Sequence, residues 1–481
     1  MAVTPTQSEG RSLLGGAAIM SVASCVRMGL QVLVLPVLAR MLEPHDYGLV
    51  ALAMPAIVFS MIVCDGGLSA PLLRRSNDED SVWATAHWAI CASGLALAAL
   101  VVLAATPIGW LYHQPDLTPI IMVLGVTLFL QGLGTVPTAR LQKAHRFHAL
   151  SLVEIIATMG GVSVLFALAV AGAGAWSLVG QQMVYWVLRL AGVLLAARWW
   201  PSTSFRYSLI ANDAAFGLSV LKVNVVNFAT RSTDVFLLGL FGTSEQVGFY
   251  AMAMQVARLP ANVILGPLHG VFLSHLVKVQ DQPARMANML VAVSAGVASI
   301  VVPATATAAF IAPQMFAVVL SDKWLPAASI YALLVPAAAI QSVAFLTMPC
   351  LVALGRPDRQ LRLTVGFTML WLCCAMVGAL GGGTGLALAI DVAFLVGTPA
   401  IIASVRSILE FPLRIYLIAL ARAGLGAVLA LCATSMVKHV FPASPLMVVA
   451  GAACCAAGGV LFALAANRST FGLAPGVARP A

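Results

Sequence analysis

The sequence predicts an all-α polytopic membrane protein of about fourteen transmembrane helices, in two six-helix lobes related by a parallel repeat, plus two C-terminal helices. Three observations carry that prediction: an extreme apolar composition, a one-sided distribution of Arg and Lys between successive loops, and an ungapped internal repeat. Of 481 residues, 61% are hydrophobic and 9% are charged, with a mean hydropathy of +0.98. Ordinary soluble domains carry about 25% charged residues, so a water-soluble fold is excluded. A helix needs about 20 apolar residues to cross the hydrocarbon core, which leaves room for about fourteen spans and almost no extramembrane domain.

Apolar windows place the spans at 13–39, 47–73, 86–111, 117–139, 149–170, 176–197, 215–240, 248–276, 285–312, 326–354, 361–380, 384–405, 412–437 and 444–466. Arg11 precedes the first run without a signal-peptide cleavage pattern, so that helix is expected to be retained. With the N-terminus in the cytoplasm, the loops on that side carry seventeen Arg and Lys, among them Arg74, Arg75, Arg140, Lys143, Arg146, Arg359, Arg406 and Arg414. The opposite loops carry three, Arg40, Lys323 and Lys438. This bias places both termini in the cytoplasm, and the net charge of +9 then records topology rather than a nucleic-acid surface. Residues 198–214 form the longest polar interruption, and Trp199 and Trp200 within it suit a membrane interface. They link an N-lobe, 1–197, to a C-lobe, 215–405, and leave 406–481 for spans thirteen and fourteen and a cytoplasmic tail.

Sliding the chain by 200 residues pairs Val26 with Val226, Leu38 with Leu238, Gly48 with Gly248, Ala53 with Ala253 and Met54 with Met254. The same offset sets Ser24, Arg27 and Gln31 against Asn224, Asn227 and Arg231, polar matches that apolar composition does not favour. Duplication is the better reading, and spans one and seven then run in the same direction.

Within the spans lie Arg27, Asp65, Glu154, Arg189, Lys222, Arg231, Asp234, Arg258, Asp391 and Arg422. A charge at the bilayer centre costs about 2.5–3.5 kcal/mol, so these groups should face a wet cavity or one another. Asn224, Asn227, Arg231 and Asp234 fall within a sector of about 80° on span seven, and Gln255, Arg258 and Asn262 repeat the pattern on span eight. Lys222 points about 150° away and is expected to snorkel. Arg231 and Asp234 are either a self-neutralising i,i+3 pair or cavity groups. Arg27 and Arg258 have no acidic residue one turn away, which favours a cavity role, whereas Glu154 and Arg422 are expected to pair with loop charges. Asp65 and Asp391 stand between ion coupling and packing, and Arg189 is equally open.

Other motifs carry less. All nine Cys lie in apolar runs without metal-type spacing and read as small packing residues. His145 and His148 lack a third ligand, and the run Gly381 to Gly385 lacks the Lys-Ser/Thr of a phosphate-binding loop. No cofactor or metal is called for.

Several ordered stretches resemble the polysaccharide flippases of the multidrug/oligosaccharidyl-lipid/polysaccharide exporter superfamily, nearest its colanic-acid-exporter branch. They are Leu38 to Gly48 (LARMLEPHDYG), Asp65 to Arg75 (DGGLSAPLLRR), Gln142 to Phe147 (QKAHRF), Ala175 to Gln182 (AWSLVGQQ), Val247 to Tyr250 with Leu259 to Asn262, and Leu320 to Ala328 (LSDKWLPAA). The resemblance implies two lobes around a cationic cavity that opens alternately to either side. It implies as substrate a polyprenyl-diphosphate-linked oligosaccharide, moved across the bacterial inner membrane for exopolysaccharide or lipopolysaccharide export. Partners would be membrane lipids and the polymerase and export machinery, and no enzymatic activity is expected. The substrate cavity would be lined by Arg27, Gln31, Asn224, Asn227, Arg231, Arg258 and Arg189, with ion coupling through Asp65, Asp234 or Asp391. Arg suits a diphosphate because its planar donors match phosphate oxygens. Pro36, Pro55, Pro260, Pro267, Pro303, Pro336 and Pro349 would interrupt helices at membrane depth and hinge the lobes, or simply kink them. One departure is Leu240, where the first lobe has Arg40 and relatives often keep a basic residue. A membrane glycan polymerase or ligase is disfavoured because no outer loop exceeds about 15 residues. A multidrug exporter of the same superfamily is disfavoured by the excess of cations.

Overall fold

The computed structural model describes residues 29–30, 33–74, 79–260, 265–409 and 411–472. Every regular element among them is helical. The chain runs through α1 (Pro44–Asp65), α2 (Ser69–Arg74), α3 (Asp80–Leu111), α4 (Leu117–Lys143), α5 (Phe147–Val170), α6 (Ala175–Ala197), α7 (Ala211–Phe241), α8 (Ser244–Pro260) and α9 (Gly266–Lys278). It continues through α10 (Pro283–Phe310), α11 (Ala312–Val319), α12 (Leu325–Ala344), α13 (Met348–Ala353), α14 (Pro357–Ala379), α15 (Gly382–Leu409), α16 (Leu413–Val440) and α17 (Pro445–Ala466). Helices are the expected solution, because in hydrocarbon each backbone N–H and C=O must be satisfied within its own segment.

Among the described residues, 11 stretches are long and apolar enough to cross a membrane, fewer than the fourteen expected. The difference lies in three places. The span at 13–39 falls largely outside the described residues, of which 33–41 are helical. The span at 215–240 lies in α7, a helix of 31 residues that carries Lys222, Asn224, Asn227, Arg231 and Asp234, and among the described residues Ser232–Phe241 is an apolar stretch of it. The span at 248–276 is described as α8 up to Pro260 and as α9 from Gly266, with 261–264 outside the described residues. Pro336 lies inside α12, and Pro349 opens α13 after a 3-10 turn at Phe345–Thr347. Pro55 and Pro303 sit inside α1 and α10.

The chain divides into two compact units, Met1–Gly248 and Phe249–Ala481. In the first, α3 with α4 and α5 with α6 form helical hairpins closed by turns of a few residues. Helix α7 lies antiparallel along α1 from Gly67 back to Leu52. Near one end Gly217 touches the backbone at Gly66 and Gly67, midway the rings of Phe228 and Phe59 meet at 5.4 Å, and at the other end Gly239 sits against Leu52 and Tyr112. Without driving force from water, helices in lipid associate through close packing, which small residues permit. Cys64 fills a similar site, its Sγ donating to the carbonyls of Ile90 and Leu128 where α3 and α4 cross at Gly94 and Gly132. This division differs from the lobe boundary expected at 198–214, because α7 rests on α1.

The second unit is built around α10. Leu290, Ala298, Leu346, Leu351, Val405 and Tyr416 form its buried centre. Helices α16 and α17 pair backbone to backbone at Gly426 and Gly459, flanked by Ala430 and Ala463. Beyond α17, buried Asn467 donates to Ser299 Oγ at 2.9 Å and to the Ala419 carbonyl at 3.2 Å, tying this hairpin to α10. Large apolar side chains such as Leu103, Leu195, Val377 and Met436 remain more than 70% exposed, an outer surface suited to lipid.

Candidate functional site

The polar stripe of α7 is displaced from the line along which α7 packs. Gly217, Phe228 and Gly239 recur every eleven residues, about three turns, and so share one face. Asn224, Asn227, Arg231 and Asp234 centre about 80° around from that line. Asn224 and Asn227 are exposed, whereas Asp234, about two turns beyond Asn227, is buried and its Oδ1 accepts from the Val235 N–H at 2.9 Å. The backbone of Arg231 belongs to α7, and its side chain lies outside the described residues. Arg27 and Gln31 of the repeat-related stripe also lie outside them. Lys222 is exposed. Arg258 stands exposed in the last turn of α8, within the second unit, with Gln255 a turn before it.

Arg189 and Glu154 meet each other. Arg189 Nε donates to Glu154 Oε1 at 2.7 Å, Tyr185 OH donates to Glu154 Oε2 at 2.8 Å, and the guanidinium lies 5.3 Å from the centre of the Trp186 ring. The expectation that Glu154 pairs with loop charges is therefore corrected. The α5–α6 hairpin brings residues 154 and 189 to one depth, and a carboxylate in hydrocarbon takes the nearest cation. This pair is neutral and adds no net charge to a cavity.

Of the remaining carboxylates, one lies at a helix end and one against a proline-containing turn of a neighbouring helix. Asp65 ends α1, where Gly66 and Gly67 turn the chain with φ of 54° and 71°. Ser69 Oγ donates to its Oδ2 at 2.8 Å, while its buried Oδ1 meets no hydrogen-bond partner among the described residues. Asp391 on α15 accepts at Oδ1, at 2.8 Å, from the N–H of Ala337, the residue after the Pro336 kink of α12.

Two arrangements were not anticipated. The first joins the repeats themselves. A Cβ on Gly48 would collide with the Ser244 carbonyl, and a Cβ on Gly248 would collide with the Pro44 carbonyl, so residues related by the 200-residue offset cross reciprocally. At the same end His45 Nδ1 and Ser244 Oγ share a hydrogen bond of 2.6 Å. The Gly48–Gly248 match was visible in the sequence, but only a crossing of the two helices turns it into a contact. The second arrangement fastens the 198–214 segment to α3 and α4. Arg140 pairs with Asp80 at 2.6 Å and lies 4.7 Å from the centre of the Trp199 ring and 5.5 Å from that of Trp83. Trp88 Nε1 donates to the Ser202 carbonyl at 2.9 Å. Such cation-aromatic contacts suit the bilayer interface, where one end of the ring is wet. Tyr112, just past α3, is buried against Gly239, and that burial raises its phenol above the usual range, so it packs as a neutral ring.

Eleven stretches among the described residues long and apolar enough to cross a membrane, a polar stripe standing off a packing line and a close reciprocal crossing at Gly48 and Gly248 define a multi-pass helical membrane protein. The fold is similar to that of the lipid II flippase MurJ in an inward closed conformation, with a TM-score of 0.78 and 13% identity over 94% of this chain and 99% of that one. It is also similar to an inward-facing multidrug resistance transporter of the MATE family, with a TM-score of 0.60 and 15% identity over 79% of this chain and 94% of that one. The chain belongs to the polysaccharide biosynthesis protein family, which it matches over residues 37–329. Among similar proteins are the succinoglycan biosynthesis transport protein ExoT of Rhizobium meliloti (strain 1021), 24% identical over 60% of this chain, and the lipopolysaccharide biosynthesis protein WzxC of Escherichia coli (strain K12), 22% identical over 78% of it. The matches span 56% of ExoT and 77% of WzxC.

Proposed function

We propose that this protein flips a polyprenyl-diphosphate-linked oligosaccharide repeat unit from the cytoplasmic to the outer leaflet of a bacterial inner membrane, by alternating access. The observation that carries the proposal is membership of a polysaccharide biosynthesis family on a fold that a lipid II flippase also adopts. The transport protein ExoT and the lipopolysaccharide protein WzxC support it. Both termini are cytoplasmic in this reading, from the bias of Arg and Lys between loops.

The two repeats, 1–197 and 215–405, are the lobes that move, joined by 198–214 and extended by 406–481. Arg27, Gln31, Asn224, Asn227, Arg231 and Arg258 hold the diphosphate and the first sugars in water, while the polyprenyl tail stays in the bilayer. Guanidinium groups suit this task because their fixed donors engage phosphate oxygens in pairs and do not lose their proton. Arg189 enters with its charge matched by Glu154, so its part is to position α6. Asp65, Asp234 and Asp391 are the carboxylates through which an ion gradient drives the cycle. The short turns at the outer ends of the hairpins, such as 112–116 and 171–174, support transport rather than glycan polymerisation.

The test is a deletion of the gene in its host. Lipid-linked repeat units should persist facing the cytoplasm while surface polysaccharide disappears. Single repeat units accumulating on the outer leaflet would indicate a polymerase instead. Reporters fused after Arg146 and Arg359 should read cytoplasm, and reporters near Asp116 and Asp322 the outer side.

A further inference from the structure

We propose that the groove between the Arg-rich ends of α15 and α16 binds an anionic phospholipid of the surrounding bilayer. The groove has a volume of about 750 Å³ and lies within the second unit. Its walls are apolar, with Pro399 and Ile402 on α15 facing Leu413 and Leu417 on α16, and buried Phe411 joins the two helices. Arg406 and Ser407 at the rim supply the charge and the hydroxyl of its wall.

The polarity is that of an amphiphile. Pro399 lies ten residues before the end of α15, about 15 Å along the helix axis, so the apolar walls descend into the hydrocarbon while Arg406 stays near the surface. A second guanidinium supports the rim. Arg359 Nη2 donates to Ser407 Oγ at 2.8 Å and Arg359 Nε to Ser404 Oγ at 3.1 Å, which fixes Arg359 one hydrogen bond from the groove wall. Arg414, exposed in the first turn of α16, adds a third cation beside Leu413. In the sequence around this rim Arg356, Arg359, Arg362, Arg406 and Arg414 outnumber Asp358 and Glu410. An acyl chain suits the walls, and a phosphate ester suits the guanidinium groups, whose planar donors engage its oxygens in pairs. Basic pockets between transmembrane helices at the cytoplasmic surface have the character of sites for anionic headgroups. The groove shares no residue with the α7 stripe assigned to substrate, so the site stands whether or not the transport reading does.

Native mass spectrometry of the full-length protein in detergent micelles tests this, with phosphatidylglycerol, phosphatidylcholine, inorganic phosphate or undecaprenyl diphosphate added in turn. Phosphatidylglycerol should be retained on the wild-type protein, and phosphatidylcholine and inorganic phosphate should not. The double substitution Arg406→Ala with Arg414→Ala should weaken retention by about fivefold for each cation removed. Arg406→Lys with Arg414→Lys should keep most of it, and Ile402→Trp, which fills the groove without touching charge, should abolish it. Thermal unfolding of each variant without lipid separates loss of binding from loss of fold. Equal retention of phosphatidylcholine, or unchanged retention in the Ala and Trp variants, would overturn the proposal, as would retention of undecaprenyl diphosphate that Ile402→Trp abolishes, which would give the groove to the substrate tail.

Discussion

The crossing at Gly48 and Gly248 is open to a direct perturbation. Each glycine lies against the backbone of the opposite helix, with room for hydrogen and none for a methyl group. Gly48→Ala and Gly248→Ala must therefore push the two helices apart. Overpacking of this kind costs about 1–3 kcal/mol, and if the crossing forms in only one state of the transport cycle, that state loses about 5–150-fold in population. His45 and Ser244 provide the reporter, since their side chains are in hydrogen-bond contact at this end. In a variant lacking the native cysteines, His45→Cys with Ser244→Cys should form a disulfide in high yield, and either Ala substitution should cut that yield and reduce export. Because the two glycines are related by the repeat, the two effects should be of similar size. Gly366→Ala and Gly424→Ala are the controls, as a Cβ at either position meets nothing within 4 Å. If Gly48→Ala and Gly248→Ala cross-link and export as the controls do, the crossing is not the close contact that the backbone geometry describes.

Three further outcomes follow from the charged groups. Arg189→Ala should leave Glu154 with Tyr185 alone and cost about 2 kcal/mol of thermal stability, below the range for fully buried pairs because both partners are partly exposed; Arg189→Ala with Glu154→Ala should recover most of it. Failure of the double variant to recover would give Arg189 a role beyond fastening α5 to α6. Asp391→Asn keeps an acceptor for the Ala337 N–H and should preserve protein abundance while abolishing export, whereas Asp391→Ala should lower both; wild-type export by the Asn variant would leave Asp391 as a cap on the Pro336 kink and no more. Arg27→Ala, Arg231→Ala and Arg258→Ala should each reduce export with protein still in the membrane, Lys replacements should rescue partially, and Lys222→Ala should do little. Export restored by Arg231→Ala with Asp234→Ala would make that pair structural.

What was legible in the sequence is what the bilayer imposes one segment at a time. The length of apolar runs located most spans because each must carry about 20 apolar residues. The same rule blurs where function intrudes: α7 carries Asn224, Asn227, Arg231 and Asp234, so it does not meet the apolar standard of its neighbours. Partnerships between helices were not legible. Glu154 with Arg189, Asp391 with Ala337 and His45 with Ser244 depend on the depth at which two helices meet, which no single-helix periodicity encodes. The offset matched Gly48 to Gly248 in the sequence, but that these two turns touch is a fact of packing. The stripe of α7 was readable from helical period alone, and the structure adds that its first two members stand free of the line packed on α1.

The central claim is transport of a lipid-linked glycan, and purified protein in proteoliposomes tests it most directly. Vesicles carrying a fluorescent polyprenyl-diphosphate oligosaccharide in both leaflets are treated with a membrane-impermeant reagent that destroys only the outer-facing label. With wild-type protein and an imposed ion gradient, the protected half should become accessible over time, and with Arg231→Ala or Arg258→Ala it should remain protected, as in protein-free vesicles. Protection that persists with the wild-type protein under both proton and sodium gradients, or accessibility that is the same with both Arg variants as with wild type, would contradict the account.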